Sequence, residues 1–466
     1  MDKTTLEEVN LTNVTNIAGS TFEDCVNLSK IEGLANLTAI ASGAFRNCTN
    51  LSIDVELPNV TESLVNGQFN NSGITGLMCN VATTGRSSGW GVWESCKSLR
   101  YAILPNIVTL GERTFAYCDN IEYVLLGEHI TSVAFASFVQ CTSLKTLIIK
   151  AITPPTYGNQ SLSGTPLESI YVPDSSVTAY REASGWSAYA NRIKSVRECT
   201  VPVSITDENV LKVLIENFDV NYNEEFDLGD MLSVKSLNYV FANNQDVSTF
   251  DELEQFTSLN GFKSGLSPHY GDFYGCSLIS TRLPRHITIL PNFLFLGSKN
   301  LKTVGDMRHI TGIGERVFQN TSLEGDLILP NLSSISAGAF NGSNISRVLD
   351  MGSINKLENW NSDAHGVFSE CDRLTVAVLP STLTSIGSGA FQESSLETLI
   401  LKSENPPSLG ENALKNTNIT SGTIYVPDNS VSAYFSAFGQ FVSRIKSINQ
   451  LQTDNPTLYE EIKDYL

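Results

Sequence analysis

The residues best suited to chemistry lie in the segment DVNYNEEFDLGD, residues 219–230, which has the spacing of a calcium-binding loop. Asp219, Asn221, Asn223 and Asp230 stand at positions 1, 3, 5 and 12 of such a loop, where oxygen ligands for Ca²⁺ are expected. Glu224 replaces the glycine that normally makes the tight turn of the loop. Two interpretations stay open, a working Ca²⁺ site and a metal-free relic, and the missing glycine favours the relic. We therefore expect no cofactor.

Catalytic side chains show no arrangement that would support a reaction. The segment GRSSG, residues 85–89, matches the G-x-S-x-G pattern around Ser87, but it lacks the long buried strand and the helix that flank a nucleophile elbow. The histidines have no metal-type spacing, and we interpret each as a surface residue: His129, His269, His286, His309 and His365. The sequence therefore predicts a protein that is not an enzyme.

An aromatic residue that returns about every 22 to 24 residues is the dominant pattern of the chain, with one longer gap between Phe340 and Phe368. A cysteine often follows it three positions later, and a leucine or isoleucine six positions later. Such a period is typical of a solenoid, in which stacked coils bury each other's apolar residues. The two series are Phe22, Phe45, Phe69, Trp93, Phe115 and Phe138, then Phe273, Phe295, Phe318, Phe340, Phe368 and Phe391.

Within one coil, the apolar residues suit a helical turn followed by a short strand. Phe115, Cys118 and Ile121 are spaced for the turn, and Val124 and Leu126 alternate as in a strand. Successive strands would add to a parallel sheet with neighbours about 4.8 Å apart. The predicted fold is an α/β solenoid with coils of 22–24 residues. Its clearest strands are LRYAIL (99–104), IEYVLL (121–126), LKTLII (144–149), LTVAVL (374–379) and LETLIL (396–401).

Both series end in the same sequence, which indicates two tandem arrays. IYVPDSSVTAY (170–180) followed by IKSV closes the first, and IYVPDNSVSAY (424–434) followed by IKSI closes the second. A terminal coil needs a polar cap over its open edge, and a strand followed by a short helix can supply one. We expect each array to be closed by such a C-terminal cap.

These residues resemble the BspA-like leucine-rich repeat family of bacterial surface proteins over about residues 6–196 and 260–448. The resemblance rests on the aromatic, cysteine and leucine spacing, on strands that end in Leu-Pro, and on the IYVPD segment with its Tyr-bearing helix. It implies a noncatalytic surface protein that adheres to host or matrix proteins or to other cells. It carries over no set of ligand-contacting residues.

The repeats divide the chain into four predicted segments. Residues 1–196 form the first array with its cap, and residues 261–448 form the second. Residues 197–260 form a linker and a helical N-terminal cap that includes the calcium-type loop. Its helix is expected within TDENVLKVLIENF, residues 206–218, capped by Thr206 or Asp207. Residues 449–466 form a C-terminal helical tail.

Composition and charge limit the possible partners. A net charge of −19 disfavours nucleic acid and anionic membranes, and the sequence contains no apolar run of 18 residues that could span a bilayer. No stretch typical of an export signal opens the chain. Because residue 1 aligns partway into a coil, we expect that upstream sequence has been removed, although a natural start on a short coil stays open. The expected location is the cell surface or the secreted fraction.

Cysteine usage points to free thiols rather than disulfides. Cys25, Cys48, Cys96, Cys118, Cys141, Cys276 and Cys371 share one repeat position, and Cys79 and Cys199 lie outside it. Equivalent residues of stacked coils point in the same direction, which is poor geometry for a bridge. We expect buried, unbridged thiols.

The strands offer the best candidate binding surface. Side chains that alternate to the outer face should form two columns, Tyr101, Tyr123 and Thr146 beside Ile103, Leu125 and Ile148. If exposed, these residues could bind a host or matrix protein, another surface protein or a glycan. Two alternatives stay open: another segment covers the columns, or they only stabilise the sheet. A structural role, as a component of a surface layer or a virion, is the alternative function.

Overall fold

The computed structural model describes residues 5–11, 14–61, 63–85, 89–265, 270–358 and 366–466. Its internal contacts separate two compact units, Met1–Thr200 and Val201–Leu466. Short parallel strands joined by tight turns dominate both units, so the fold is the expected α/β solenoid. The finer division into two arrays, linker and tail remains a prediction.

The strands of the first unit are two to four residues long and form parallel sheets. In chain order they are β1 (Glu8–Asn10), β2 (Asn16–Ile17), β3 (Lys30–Glu32), β4 (Ala39–Ile40), β5 (Asp54–Leu57), β6 (Ser63–Val65), β7 (Gly76–Cys79), β8 (Thr83–Gly85), β9 (Tyr101–Leu104), β10 (Thr109–Leu110), β11 (Tyr123–Leu126), β12 (Ser132–Val133), β13 (Thr146–Ile149), β14 (Thr156–Tyr157), β15 (Ser169–Val172) and β16 (Ile193–Ser195). The main sheet has the order β5-β7-β9-β11-β13-β15-β16, as the repeat predicts. A shorter sheet, β6-β8-β10-β12-β14, runs beside it through the same coils, and β1 pairs with β3 and β2 with β4.

The second unit repeats this plan with strands β17 (Thr249–Phe250), β18 (Ser280–Thr281), β19 (Ile289–Leu290), β20 (Gly312–Ile313), β21 (Glu324–Ile328), β22 (Ser334–Ile335), β23 (Asn344–Asp350), β24 (Lys356–Leu357), β25 (Val376–Leu379), β26 (Ser385–Ile386), β27 (Thr398–Leu401), β28 (Ser408–Leu409), β29 (Thr423–Val426) and β30 (Ile445–Ser447). Its main sheet has the order β21-β23-β25-β27-β29-β30. Shorter sheets join β19-β20-β22, β24-β26-β28 and β17-β18.

Aromatic rings stack from coil to coil in the interior. Phe115 is 0% exposed, and its ring centroid lies 5.2 Å from that of Trp93 and 5.6 Å from that of Phe138. This confirms the predicted burial of Phe115 between its two equivalents. In the second unit, Phe241 stacks at 5.5 Å on Phe273. The stack therefore begins within the segment assigned above to the linker and cap.

Each aromatic residue sits in a hydrogen-bonded turn rather than in a helix. The Phe115 N–H donates to the Ser137 carbonyl of the next coil at 2.8 Å, and the Cys118 N–H donates back to the Phe115 carbonyl at 3.2 Å. The Cys118 thiol donates to the carbonyl of Trp93 in the preceding coil at 3.1 Å. All nine cysteines of the sequence lie among the described residues, and each is a buried free thiol, as predicted.

Helices occur mainly outside the repeats. They are α1 (Val177–Glu182), α2 (Glu208–Phe218), α3 (Leu228–Ser233), α4 (Val431–Ala437), α5 (Leu451–Asp454) and α6 (Pro456–Ile462). The helix predicted within residues 206–218 is confirmed as α2, and Asp207 is its N-cap. Tyr180 of α1 and Tyr434 of α4 are fully buried at equivalent places, and their hydroxyls donate to the carbonyls of Ala151 and Ser403. Whether α1 and α4 act as closing caps stays a prediction.

Candidate binding surface

The two predicted columns form on the main sheet of the first unit. Register places Tyr101 beside Tyr123 and Tyr123 beside Thr146 in one column, which we call the tyrosine column. The aliphatic column runs parallel to it, with Ile103 beside Leu125 and Leu125 beside Ile148. Sequence reasoning therefore brought the correct residues together.

The aliphatic column is not a free surface. Ile103, Leu125 and Ile148 are only 5%, 1% and 0% exposed, so the solvent exposure that binding through this column would require is absent. Alternation along a strand determines the side of the sheet from which a side chain leaves, but it does not determine what lies over that side. Cys199, beyond β16, is fully buried, and the negative charge that its thiolate would carry is among the smaller causes that raise the pKa of Tyr123. The segment after β16 thus reaches the outer side of the sheet.

The tyrosine column is half-buried and ordered by its own contacts. The Tyr101 and Tyr123 rings stack with centroids 5.6 Å apart and an interplanar angle of 10°. The Tyr101 hydroxyl donates to Asp54 Oδ2 at 2.9 Å, and the Thr75 hydroxyl donates to Asp54 Oδ1 at 2.6 Å. These contacts hold the Tyr101 ring in one orientation.

Gly76 allows Tyr101 to reach Asp54. Strand β7 lies between the strands that carry these two residues, and Gly76 pairs with Asp54 on one side and with Tyr101 on the other. A Cβ at Gly76 would lie 2.5 Å from the Tyr101 ring, closer than van der Waals contact permits. The ring therefore crosses the neighbouring strand over a position without a side chain. Sequence reasoning missed Asp54 and Gly76, although their places in DVEL and GLMC at matching register could have indicated them.

The electrostatics keep both phenols neutral. Burial, and then the negative charge of Asp54, raise the pKa of Tyr123 to about 12. The same causes, with the hydrogen bond to Asp54, also raise the pKa of Tyr101. Within the described residues the Tyr123 hydroxyl has no hydrogen-bond partner, so it can donate to a bound molecule. Arg100, Glu122 and Lys145 are exposed beside the column and add charges of both signs.

The calcium-type loop is held by hydrogen bonds to its own backbone. Asp219 accepts backbone N–H groups at 2.7, 2.9 and 3.3 Å, and Glu224 adopts the left-handed φ of 62° that glycine would favour. The side-chain oxygens of Asn221 and Asn223 accept N–H groups two residues on. Asp230 is fully buried and accepts two backbone N–H groups, and burial raises its pKa to about 6. The expectation that these four residues form a metal-free relic rather than a Ca²⁺ site stays a prediction.

The other chemistry-bearing residues do not converge. In the described part of the chain, no set of three or more His, Cys, Asp or Glu side chains is placed to hold a metal ion. His129 is exposed beside Glu128, and His286 Nε2 lies 2.7 Å from the Leu259 carbonyl. Among those same residues, no helix is long and apolar enough to cross a bilayer. Ser87, His269 and His365 lie outside the described residues.

The repeats match a known family along most of the chain. The model of the BspA type leucine-rich repeat region matches residues 2–87, 87–185, 238–346 and 364–461. This chain belongs to that family. The resemblance stated from the sequence is thereby confirmed.

The solved structures that the chain matches include bacterial leucine-rich repeat proteins. One from Bacteroides ovatus is 18% identical, covers 86% of this chain and 79% of its own, and has a TM-score of 0.31. A leucine-rich cell surface protein from Faecalibacterium prausnitzii is 14% identical, with coverages of 81% and 85% and a TM-score of 0.23. One from Eubacterium ventriosum is 12% identical, with coverages of 74% and 83% and a TM-score of 0.24. No curated protein matches the sequence.

Proposed function

We propose that this BspA-type protein is a noncatalytic adhesion module, displayed at the cell surface or secreted, that binds a partner protein through the tyrosine column of its first unit. The observation that carries the proposal is the half-buried Tyr101–Tyr123 stack, fixed by Asp54 and flanked by exposed charges. Tyrosine supplies a large rigid contact area and a hydroxyl, and such residues dominate binding energy at protein interfaces. Because the rings are already ordered, little conformational entropy would be lost on binding.

The partner class follows from the charges. A net charge of −19 opposes binding to nucleic acid or anionic lipid. The mixed charges of Arg100, Glu122 and Lys145 around the rings suit a protein surface better than a uniformly charged polymer. Within the partners expected from the sequence, we therefore favour a host or matrix protein, or another surface protein, over a glycan.

The test is binding of the full chain to a panel of matrix proteins and glycans, followed by Tyr123→Ser on every interaction found. We expect at least a tenfold loss of affinity, typical of an aromatic anchor. Tyr117→Ser is the matched control, because Tyr117 is also partly exposed, at 38%, but lies in a corner turn. Serine is tolerated there, since Ser95 has the same left-handed backbone at the equivalent place.

Two results would overturn the proposal. Equal effects of Tyr123→Ser and Tyr117→Ser would show that the tyrosine column is not the contact surface. Self-association of the chain that Tyr123→Ser abolishes, without binding to any panel member, would favour the structural or assembly role instead.

A further inference from the structure

The last sixteen residues of the chain, 451–466, cover the outer face of the main sheet of the second unit. This segment, here called the tail, consists of α5, α6 and a final turn, Lys463–Tyr465. Leu451 and Ile462 are both 0% exposed and pack with the sheet residues Val378 and Ile400. The apolar cluster under the tail, which we call the covered face, is Leu349, Val376, Val378, Ile400 and Tyr425.

Polar contacts hold both ends of the tail, and in each of them a cation outside the tail meets a carboxylate or a carbonyl of the tail. Arg347 donates to Glu461 Oε2 at 2.5 Å, while Lys446 Nζ lies 2.7 Å from Asp454 Oδ2. Lys402 Nζ donates to the backbone carbonyl of Tyr465 at 2.8 Å. The cations therefore belong to the sheet, and the tail supplies carboxylates and a carbonyl.

The tail is an added layer rather than a part of the solenoid. The main sheet ends with β30, and the tail adds no strand to it in the described part of the chain. It also contributes nothing to the aromatic stack, which lies on the other side of the strands. Its anchoring ion pairs are partly exposed, with 52% exposure of the Glu461 side chain, so each is weak and screened by salt. Such a layer can be released while the repeats stay folded.

We propose that the covered face is a docking site for a short, acidic, amphipathic segment of helical turns from a partner protein, and that the tail is its displaceable internal occupant. The tail shows the chemistry that fits: aliphatic residues at Leu451, Leu458 and Ile462, with carboxylates placed as at Asp454 and Glu461. This is binding of an amphipathic helix by an apolar surface with complementary charge at its rim.

Tethering explains why the face is closed in the free chain. The tail follows β30 through a single turn, Ile448–Gln450, so its effective concentration at the face is high. A partner helix must therefore fit better than the tail or meet a chain whose tail is weakened. Covering the cluster also removes from water a contiguous apolar patch that would otherwise favour aggregation.

The experiment uses the full chain and a labelled peptide with the sequence of residues 451–466. Fluorescence anisotropy should show weak binding to the wild-type chain, because its own tail competes. Reversing the tail charges with Asp454→Arg and Glu461→Arg should tighten peptide binding about tenfold, since two exposed ion pairs are lost from the competitor. Adding Arg347→Glu and Lys446→Glu on the sheet should remove that gain, because the peptide then meets repulsion.

Glu460→Arg is the matched control. Within the described residues, the Glu460 carboxylate pairs only with Lys463 of the tail itself, so the same charge change there should leave peptide affinity within twofold of wild type. Far-ultraviolet circular dichroism of each variant checks that the solenoid is intact. Tyr123→Ser should have no effect on the peptide, which keeps this test separate from the proposed function of the first unit.

Three results would overturn the inference. Equal peptide affinity for the wild-type chain and the tail variant would mean that the tail does not occupy the binding face. Binding that survives Arg347→Glu and Lys446→Glu would place the peptide elsewhere. Dimers of the wild-type chain in light scattering, lost when Asp454 and Glu461 are reversed, would assign the face to the tail of a second copy instead of a partner helix.

Discussion

Phe115→Ala should lower the free energy of unfolding of the first unit by about 4 kcal/mol. The side chain is 0% exposed and stacks on both Trp93 and Phe138, so truncation removes a complete buried ring and two parallel ring contacts. The cavity lies between coils whose spacing is fixed by the parallel sheet, and the neighbouring rings cannot close it without breaking strand pairing. Relaxation should therefore recover little of the loss.

Scanning calorimetry of the full chain measures the effect. For a unit of about 200 residues, each kcal/mol lowers Tm by roughly 2–4 °C, so we expect a fall of about 10 °C in one transition. Phe135→Ala is the matched control, because Phe135 is in the same unit but 44% exposed, and it should cost less than about 1 kcal/mol. If Phe115→Ala shifts Tm no more than Phe135→Ala does, the stacked rings do not stabilise the coils.

Three further outcomes follow from the contacts. Asp54→Asn should lower the pKa of Tyr101 and Tyr123 toward 10, the ordinary value for tyrosine, because it removes a negative charge; an unchanged ultraviolet absorbance titration of the phenols would contradict this. Burial alone would raise the pKa of Asp207, but hydrogen bonds from Ser248, Thr249 and Val210 outweigh it and lower the value to about 2. The stability that the ionised Asp207 carboxylate contributes is therefore present above pH 4 and is lost as the pH falls from about 4 to about 2. Asp207→Asn should flatten this part of the profile of unfolding free energy against pH, measured by urea unfolding. Millimolar Ca²⁺ should raise stability by only about 0.4 kcal/mol, as expected for a site with Kd near the ligand concentration, and a large Tm shift that Asp219→Ala abolishes would show a working calcium loop.

The sequence was sufficient for the fold because the decisive signals are local and repeated. The aromatic period set the coil length, and alternation within each strand placed Tyr101 beside Tyr123 and Ile103 beside Leu125. Exposure was predicted less well, because it depends on segments distant in the chain. Arg347 and Glu461 are 114 residues apart, and no periodicity links them. The tail was therefore predictable as helical, but its place on the sheet was not.

The main sheets of the two units share some of their outward-facing residues and differ in others, and the shared ones are those that packing of the solenoid requires. The two sheets can be aligned by matching β15, which begins at Ser169, with β29, which begins at Thr423. In this alignment Tyr101 corresponds to Arg347, and Tyr123 corresponds to Val376. The aliphatic column is buried in both units, as Leu125 and Val378 illustrate, so apolar residues there serve packing. The tyrosine column differs between the units. In the second unit its position is occupied by Arg347, which anchors the tail, whereas in the first unit it is occupied by the half-buried tyrosine stack. Since the same coil geometry accepts either set, packing alone does not account for the tyrosines, which supports the proposal that they serve recognition.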